Sequence, residues 1–208
     1  MTNWPRLLVV PAMALAFLSS GCTGADPTPT RTRPDLPSEE QLAADSKPLP
    51  GSTLPGTELK FGQEAVITVG VGSGRSLVGL TVTGVERGTA ADLEVIRASV
   101  PTVGDRPVGS LYFVKAVLEN KDGRHFDSSY SGPLLRGVTE SGEDAAALRL
   151  AFIEIGLLNC PMGAPPPPEF STRGGRRDHC QIVFSSPANP VTSVGFQAEG
   201  GKPDITWE

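Results

Sequence analysis

From residue 57 onward the chain sets short apolar runs between Gly, Pro, Asn and Asp, and within the runs apolar positions recur with a period of two. Residues 64–71 (EAVITVGV) put Ile67, Val69 and Val71 on one face. Residues 77–87 (LVGLTVTGVER) put Val78, Leu80 and Val82 on one side and Thr81 and Thr83 on the other. The strongest strand signal is 111–119 (LYFVKAVLE), with Tyr112, Val114, Ala116 and Leu118 on one face and Phe113 and Val117 on the other. Further strands are predicted at 92–99, 134–139, 148–155, 180–184, 191–197 and 204–207. Residues 144–158 are the best helical competitor, but Gly156 and the β-branched Ile153 and Ile155 favour a strand. About nine short strands separated by turns argue an all-β sandwich or barrel. No alternation of strand and helix patterns is present, which excludes doubly wound and hydrolase folds.

The beginning of the chain reads differently. Residues 7–18 (LLVVPAMALAFL) form an apolar run behind Arg6, followed by Ser19, Ser20, Gly21 and Cys22. The run is short of the ~20 residues that span a hydrocarbon core and fits the apolar core of a secretory signal peptide. The Ser-Ser-Gly-Cys that follows resembles the lipobox of bacterial lipoproteins, whose cysteine is diacylated and becomes the new N-terminus. It departs from that pattern at Ser19, where Leu, Val or Ile is usual; here the leucine, Leu18, sits one residue earlier. The resemblance implies cleavage after residue 21, a lipid on Cys22 and a protein anchored to the outer face of the cell membrane. The chain has 3 cysteines. With Cys22 acylated, Cys160 and Cys180 remain, and outside the cytoplasm such a pair is normally oxidised. Closing the loop between them contributes ~3 kcal/mol.

Residues 22–56 carry seven prolines among Thr, Ser and mixed charges, without apolar periodicity. Such a segment cannot offset its ordering entropy by burial, and proline keeps it extended, so a disordered tether is expected. A brief helix at 38–44, with Ser38 as N-cap and Gln41 three residues on, is compatible with it. The expected organisation is therefore a signal peptide at 1–21, a tether at 22–56 and one β domain at 57–208. Overall, 208 residues with 24 Gly, 20 Pro and a net charge of -5 exclude a coiled coil and make nucleic acid an improbable partner.

One resemblance covers the β region. It rests on the run 112–120 (YFVKAVLEN), the Gly-containing turn at 121–123, the late Cys180-x-x-x-Phe184 strand, residues 191–196 (VTSVGF) and the closing Ile205-x-Trp207. Together these resemble exported actinobacterial lipoproteins with an immunoglobulin-like or telokin-like domain. The resemblance implies an immunoglobulin-like β-sandwich and a compartment, and it supplies no catalytic residues. Cys160 and Cys180 are too close in sequence for the inter-sheet bridge of antibody domains.

Candidate chemistry is sparse. The glycine-rich 70–74 (GVGSG) lacks the lysine of a phosphate loop and the flanking glycines of a nucleophile elbow, and reads as a hairpin. There are 2 histidines, His125 and His179, and no nucleophile–base–orienter set can be assembled around them. Glu140, Glu143 and Asp144 read as a solvated turn, as Glu86, Asp92 and Glu94 read as exposed strand-end charges. Arg173, Arg176 and Arg177 form the one basic cluster, in a loop carrying the proline run 165–168, and this loop is the candidate contact for an envelope protein or cell-wall partner. The expectation is a non-catalytic binding module without cofactor. The alternative is an extracytoplasmic copper or zinc protein using Cys160, Met162, His179 and Cys180 as ligands.

Overall fold

The computed structural model describes residues 48–72, 74–149, 157, 159–160, 162, 164–197 and 205–208. The expected signal peptide, most of the tether, the helix at 38–44 and all but the first two residues of the strand at 148–155 lie outside these residues.

Among the described residues, nine strands run in chain order as β1 (Glu58–Leu59), β2 (Glu64–Val71), β3 (Gly74–Arg87), β4 (Leu111–Asn120), β5 (Leu135–Thr139), β6 (Ala146–Ala147), β7 (Arg176–Phe184), β8 (Val191–Phe196) and β9 (Ile205–Trp207). They form a five-stranded sheet in the order β2-β3-β4-β7-β6 and a four-stranded sheet in the order β1-β9-β8-β5. The sheets pack face to face as a β-sandwich, the all-β architecture expected from the alternation. Their inner faces supply one core that includes Ile67, Leu80, Val114 and Leu118 from one sheet and Leu135, Val194 and Trp207 from the other. The glycine-rich 70–74 segment is the β2–β3 hairpin, with Val71 opposite Gly74 and Gly72 at φ 55. A left-handed backbone at that point suits glycine and few other residues.

The strand expected at 92–99 is instead an α-helix, α1 (Ala90–Ser99). Thr89 accepts a hydrogen bond from the Asp92 N–H at 3.1 Å, and the Asp92 carboxylate accepts one from the Thr89 N–H at 2.8 Å. This capping box satisfies donors that a helix start leaves open. Leu93, Ile96 and Val100 follow at helical spacing and are buried. Pro101 ends the helix, because the residue before a proline is pushed out of the α region.

The helix gives the sandwich a second core. Strand β4 sends Tyr112, Val114, Ala116 and Leu118 inward between the sheets, as the alternation predicts. Leu111 and Phe113 point the other way, where Ile182 and Phe184 of β7 and Leu93 and Ile96 of α1 meet them. One sheet is therefore covered on both sides along half of its length. At the far edge of that sheet, the chain that enters the domain straps β2: the Thr53 N–H donates to the Val66 carbonyl at 2.7 Å, and the Leu49 N–H to Thr68 Oγ1 at 2.9 Å. Such straps cover the unpaired groups of an edge strand.

Phe113 is 1% exposed beneath the helix, whereas Val117, on the same face of β4, is only half-buried. Phe113→Ala is expected to cost about 3–5 kcal/mol of unfolding free energy, and Val117→Ala no more than about 1 kcal/mol. Urea denaturation of the two variants measures both. Equal losses would show that the helix layer contributes nothing to the burial.

Candidate functional site

Strand β7 carries most of the residues singled out from sequence, and its period of two separates them. Cys180, Ile182 and Phe184 belong to the helix-side core, while Val183 lies in the core between the sheets. Cys180 is bonded to Cys160 in the expected disulfide, with Cα atoms 5.4 Å apart, buried in the helix-side core. His179, one residue earlier, projects to the opposite face, where its Nε2 meets the Pro133 carbonyl at 2.9 Å. The copper or zinc site of Cys160, Met162, His179 and Cys180 is therefore overturned. Both sulfurs are bonded to each other rather than available as thiolates, and the imidazole points away from them. Met162 packs against the disulfide-containing core. Among the described residues no group of three or more His, Cys, Asp or Glu is placed to hold a metal.

The basic cluster also divides. Arg173 is exposed in the loop. Arg176 and Arg177 belong to β7 itself. Arg176 forms an ion pair with Glu119 of β4 at 2.6 Å, and hydrogen bonds from Lys121 and then Arg176 hold the Glu119 carboxyl below its ordinary range. Arg177 turns inward over the rings of Tyr130 and Phe170, at 5.9 and 5.8 Å, and donates to the Tyr130 carbonyl at 3.3 Å. Those rings belong to a trio with Phe126, whose centroid is 4.5 Å from that of Tyr130 and 4.8 Å from that of Phe170. Arg177 therefore anchors the segment before β5 rather than facing solvent.

Beside it, burial and then the charge of Arg177 push the His179 pKa down to about 4, against a raising contribution from the Pro133 carbonyl. The imidazole is neutral, and the carbonyl acceptor puts its proton on Nε2. Gly132, at φ +98, leaves room for the ring, since a Cβ there would come within 2.7 Å of Nδ1. A buried imidazole already spent on a backbone carbonyl is a structural group, not a general base. His125 is exposed in the turn after β4.

Two grooves open at opposite poles of the sandwich. One lies where β2 ends, between Gly70 and Val71, the 130–134 segment and Phe196 at the end of β8, with a volume of about 460 Å³. Thr68, which holds the incoming chain at Leu49, also lines it. The other lies at the start of β4 and the end of β7, among Arg106, Ser110, Glu143, Phe184 and Pro187, with a volume of about 450 Å³. Both fall in the size range of small-ligand sites. In the second groove the Arg106 guanidinium lies over the Phe184 ring, 4.5 Å from its centroid. Sequence reading missed Arg106, which sits in a polar turn (GDRPVG) and meets Phe184 only through the fold. Glu143 and Asp144 line the same groove, and Asp144 is held by Arg136 at 2.6 Å.

No protein-family model matches the chain, and no curated protein does. Among solved structures it is similar to MPT63, a secreted protein from Mycobacterium tuberculosis. The identity is 17% and the TM-score 0.44, over 76% of this chain and 99% of that one. No residue role is carried over from it.

Two predictions follow from β7. Folding keeps His179 neutral while the unfolded chain binds its proton near pH 6.5, so stability is full above that pH and falls as pH drops toward about 4. The loss amounts to about 3 kcal/mol. His179→Gln, whose amide can still donate to Pro133, is expected to remove this portion of the pH dependence, leaving that of the carboxylates. Urea unfolding of both proteins between pH 7 and pH 4 gives the difference; parallel curves would exclude His179 as its source. Replacing Cys160 and Cys180 together by Ala is expected to cost ~3 kcal/mol for a loop of this length. The lost hydrogen-exchange protection should concentrate in α1 and the outer ends of β4 and β7.

Proposed function

We propose that this chain is an exported lipoprotein, held at the outer face of the cell membrane by a diacylated Cys22. In this reading its β-sandwich is a non-catalytic module that binds an envelope protein or a cell-wall component. The observation that carries the reading is the pairing of Cys160 with Cys180. A buried disulfide between two of the three cysteines suits an oxidising compartment. It leaves Cys22, placed directly behind an apolar run and small residues, as the odd cysteine. Two acyl chains give stable anchoring where one is marginal.

The arrangement of β7 supports a binding rather than a catalytic role. His179, Arg177 and Arg176 are committed to contacts that hold the 130–134 segment and β4. Among the described residues, the grooves at the two poles are concave surfaces open to a partner. Of the basic cluster, Arg173 and Arg176 are exposed to solvent, Arg176 alongside its ion pair with Glu119.

The intact mass of the protein taken from membranes, before and after reduction and thiol alkylation, tests the anchor and the disulfide together. The expected mass is the polypeptide from residue 22 plus a diacylated cysteine, with no alkylation before reduction and two sites after it. Cys22→Ser should shift the protein from the membrane fraction to the medium. An unmodified Cys22, or membrane retention of the Ser variant, would sink the anchoring claim.

A further inference from the structure

The groove at the start of β4 holds an arginine that the fold positions but does not use. The Arg106 backbone is fixed from α1, where an Arg97 Nη donates to the Arg106 carbonyl. Its guanidinium is stacked on Phe184, an arrangement that fixes a cation without consuming its hydrogen-bond donors. Among the described residues the Arg106 side chain donates no hydrogen bond and forms no ion pair, and its Nε is buried without an acceptor. That Nε is closed to any ligand in the groove; the donors Arg106 can offer there are its two Nη nitrogens, which have no partner among the described residues and are not buried.

The other polar side chains lining the groove are already committed. Ser110 Oγ donates to the Pro107 carbonyl at 2.7 Å, and Ser185 Oγ to the Asn189 carbonyl at 2.5 Å. Asn189 Nδ2 bonds Ser141 at 2.8 Å and Glu143 at 3.3 Å. Thr139 bonds the Glu143 backbone, Ser186 accepts from the Ala188 N–H, and Asp144 is taken by Arg136. Arg106 is the one lining side chain whose hydrogen-bonding capacity is wholly unspent.

We propose that this groove binds the C-terminal end of a peptide, with the carboxylate on Arg106 and small apolar residues against Pro107, Ala145, Ala146 and Pro187. This deepens the reading of the domain as a binding module by naming the ligand class. A planar guanidinium matches a carboxylate in a bidentate pair. Glu143 and Asp144 on the same wall repel a doubly charged phosphate more than a single carboxylate, and the apolar walls accommodate uncharged side chains rather than an isolated ion.

Titration of the full processed chain with N-acetyl-trialanine, its C-terminal amide and inorganic phosphate, followed by calorimetry and amide chemical shifts, tests the assignment. The free acid should bind saturably and move resonances around Arg106, Ser110 and Phe184. The amide and phosphate should bind at least tenfold more weakly. Arg106→Gln and Arg106→Lys should each lose at least tenfold in affinity, and Glu143→Gln should bind the acid as tightly as the parent or more so. Equal binding of acid and amide, phosphate as tight as the peptide, or no saturation would overturn the proposal. If the Arg106 variants melt early through loss of the Phe184 stack, Glu143→Gln decides, since weaker binding there would contradict carboxylate recognition. The mass of Cys22 is read separately, so loss of the ligand claim and loss of the anchoring claim are distinguishable.

Discussion

The fold depends on strand β4 having to bury both of its faces. A strand with Tyr112, Val114, Ala116 and Leu118 on one side and Leu111 and Phe113 on the other cannot sit in a simple two-layer sandwich with one wet face. The inner row is met by the four-stranded sheet, and the outer row requires α1, the disulfide and the ends of β7. The long β3–β4 connection is long because it must carry that cover. Cys160 lies in this second core with Leu157, and Met162 packs against it, so the disulfide ties these residues to β7 on the helix side rather than joining the sheets.

Polar groups drawn into the interior follow the same constraint. Asn120 closes β4 and is fully buried, and its side chain is spent on the Arg124 and Phe170 carbonyls and the Gly123 N–H, each at 2.8 Å. These bonds tie the turn after β4 to the loop before β7, where Arg177 and His179 continue the seam through Tyr130 and Pro133. Each is satisfied by a backbone carbonyl, the kind of partner that fixes a loop without supplying reactivity. The polar residues of β7 therefore act as fasteners for irregular segments crossing the pole of the sandwich.

Much of this was legible from local pattern. The alternations at 64–71, 77–87 and 111–119 mark three neighbouring strands of one sheet, because period two reports a face to be buried wherever the partner comes from. Residues 92–99 read as a strand because Val95 and Ile96 are β-branched. The contrary signals were Thr89-x-x-Asp92 and the spacing of Leu93, Ile96 and Val100. The sites were less legible. Whether Arg177 is a contact or a fastener depends on Tyr130 and Phe170, and whether Arg106 is a turn residue or a site depends on Phe184. Nothing within a few positions of either arginine reports those partners.

The direction in which the chain enters the domain gives the two grooves different roles. Leu49 and Ser52 bond to Thr68, and Thr53 bonds to Val66, so the entering segment runs antiparallel to β2 from the pole where β2 ends. The groove beside Gly70 and Tyr130 shares that pole and one of its residues, Thr68, with the incoming chain. The Arg106 groove is at the other pole, where β4 begins and β7 ends. For a domain anchored through its N-terminal side, the pole away from the attachment is the one a partner reaches without displacing the tether. The unspent guanidinium is at that pole, while the fastening contacts of Arg177 and His179 lie toward the pole where the chain enters. On the proposed anchoring through Cys22, entry of the chain at the pole of Leu49 and Thr68 favours the Arg106 groove as the surface open to a partner.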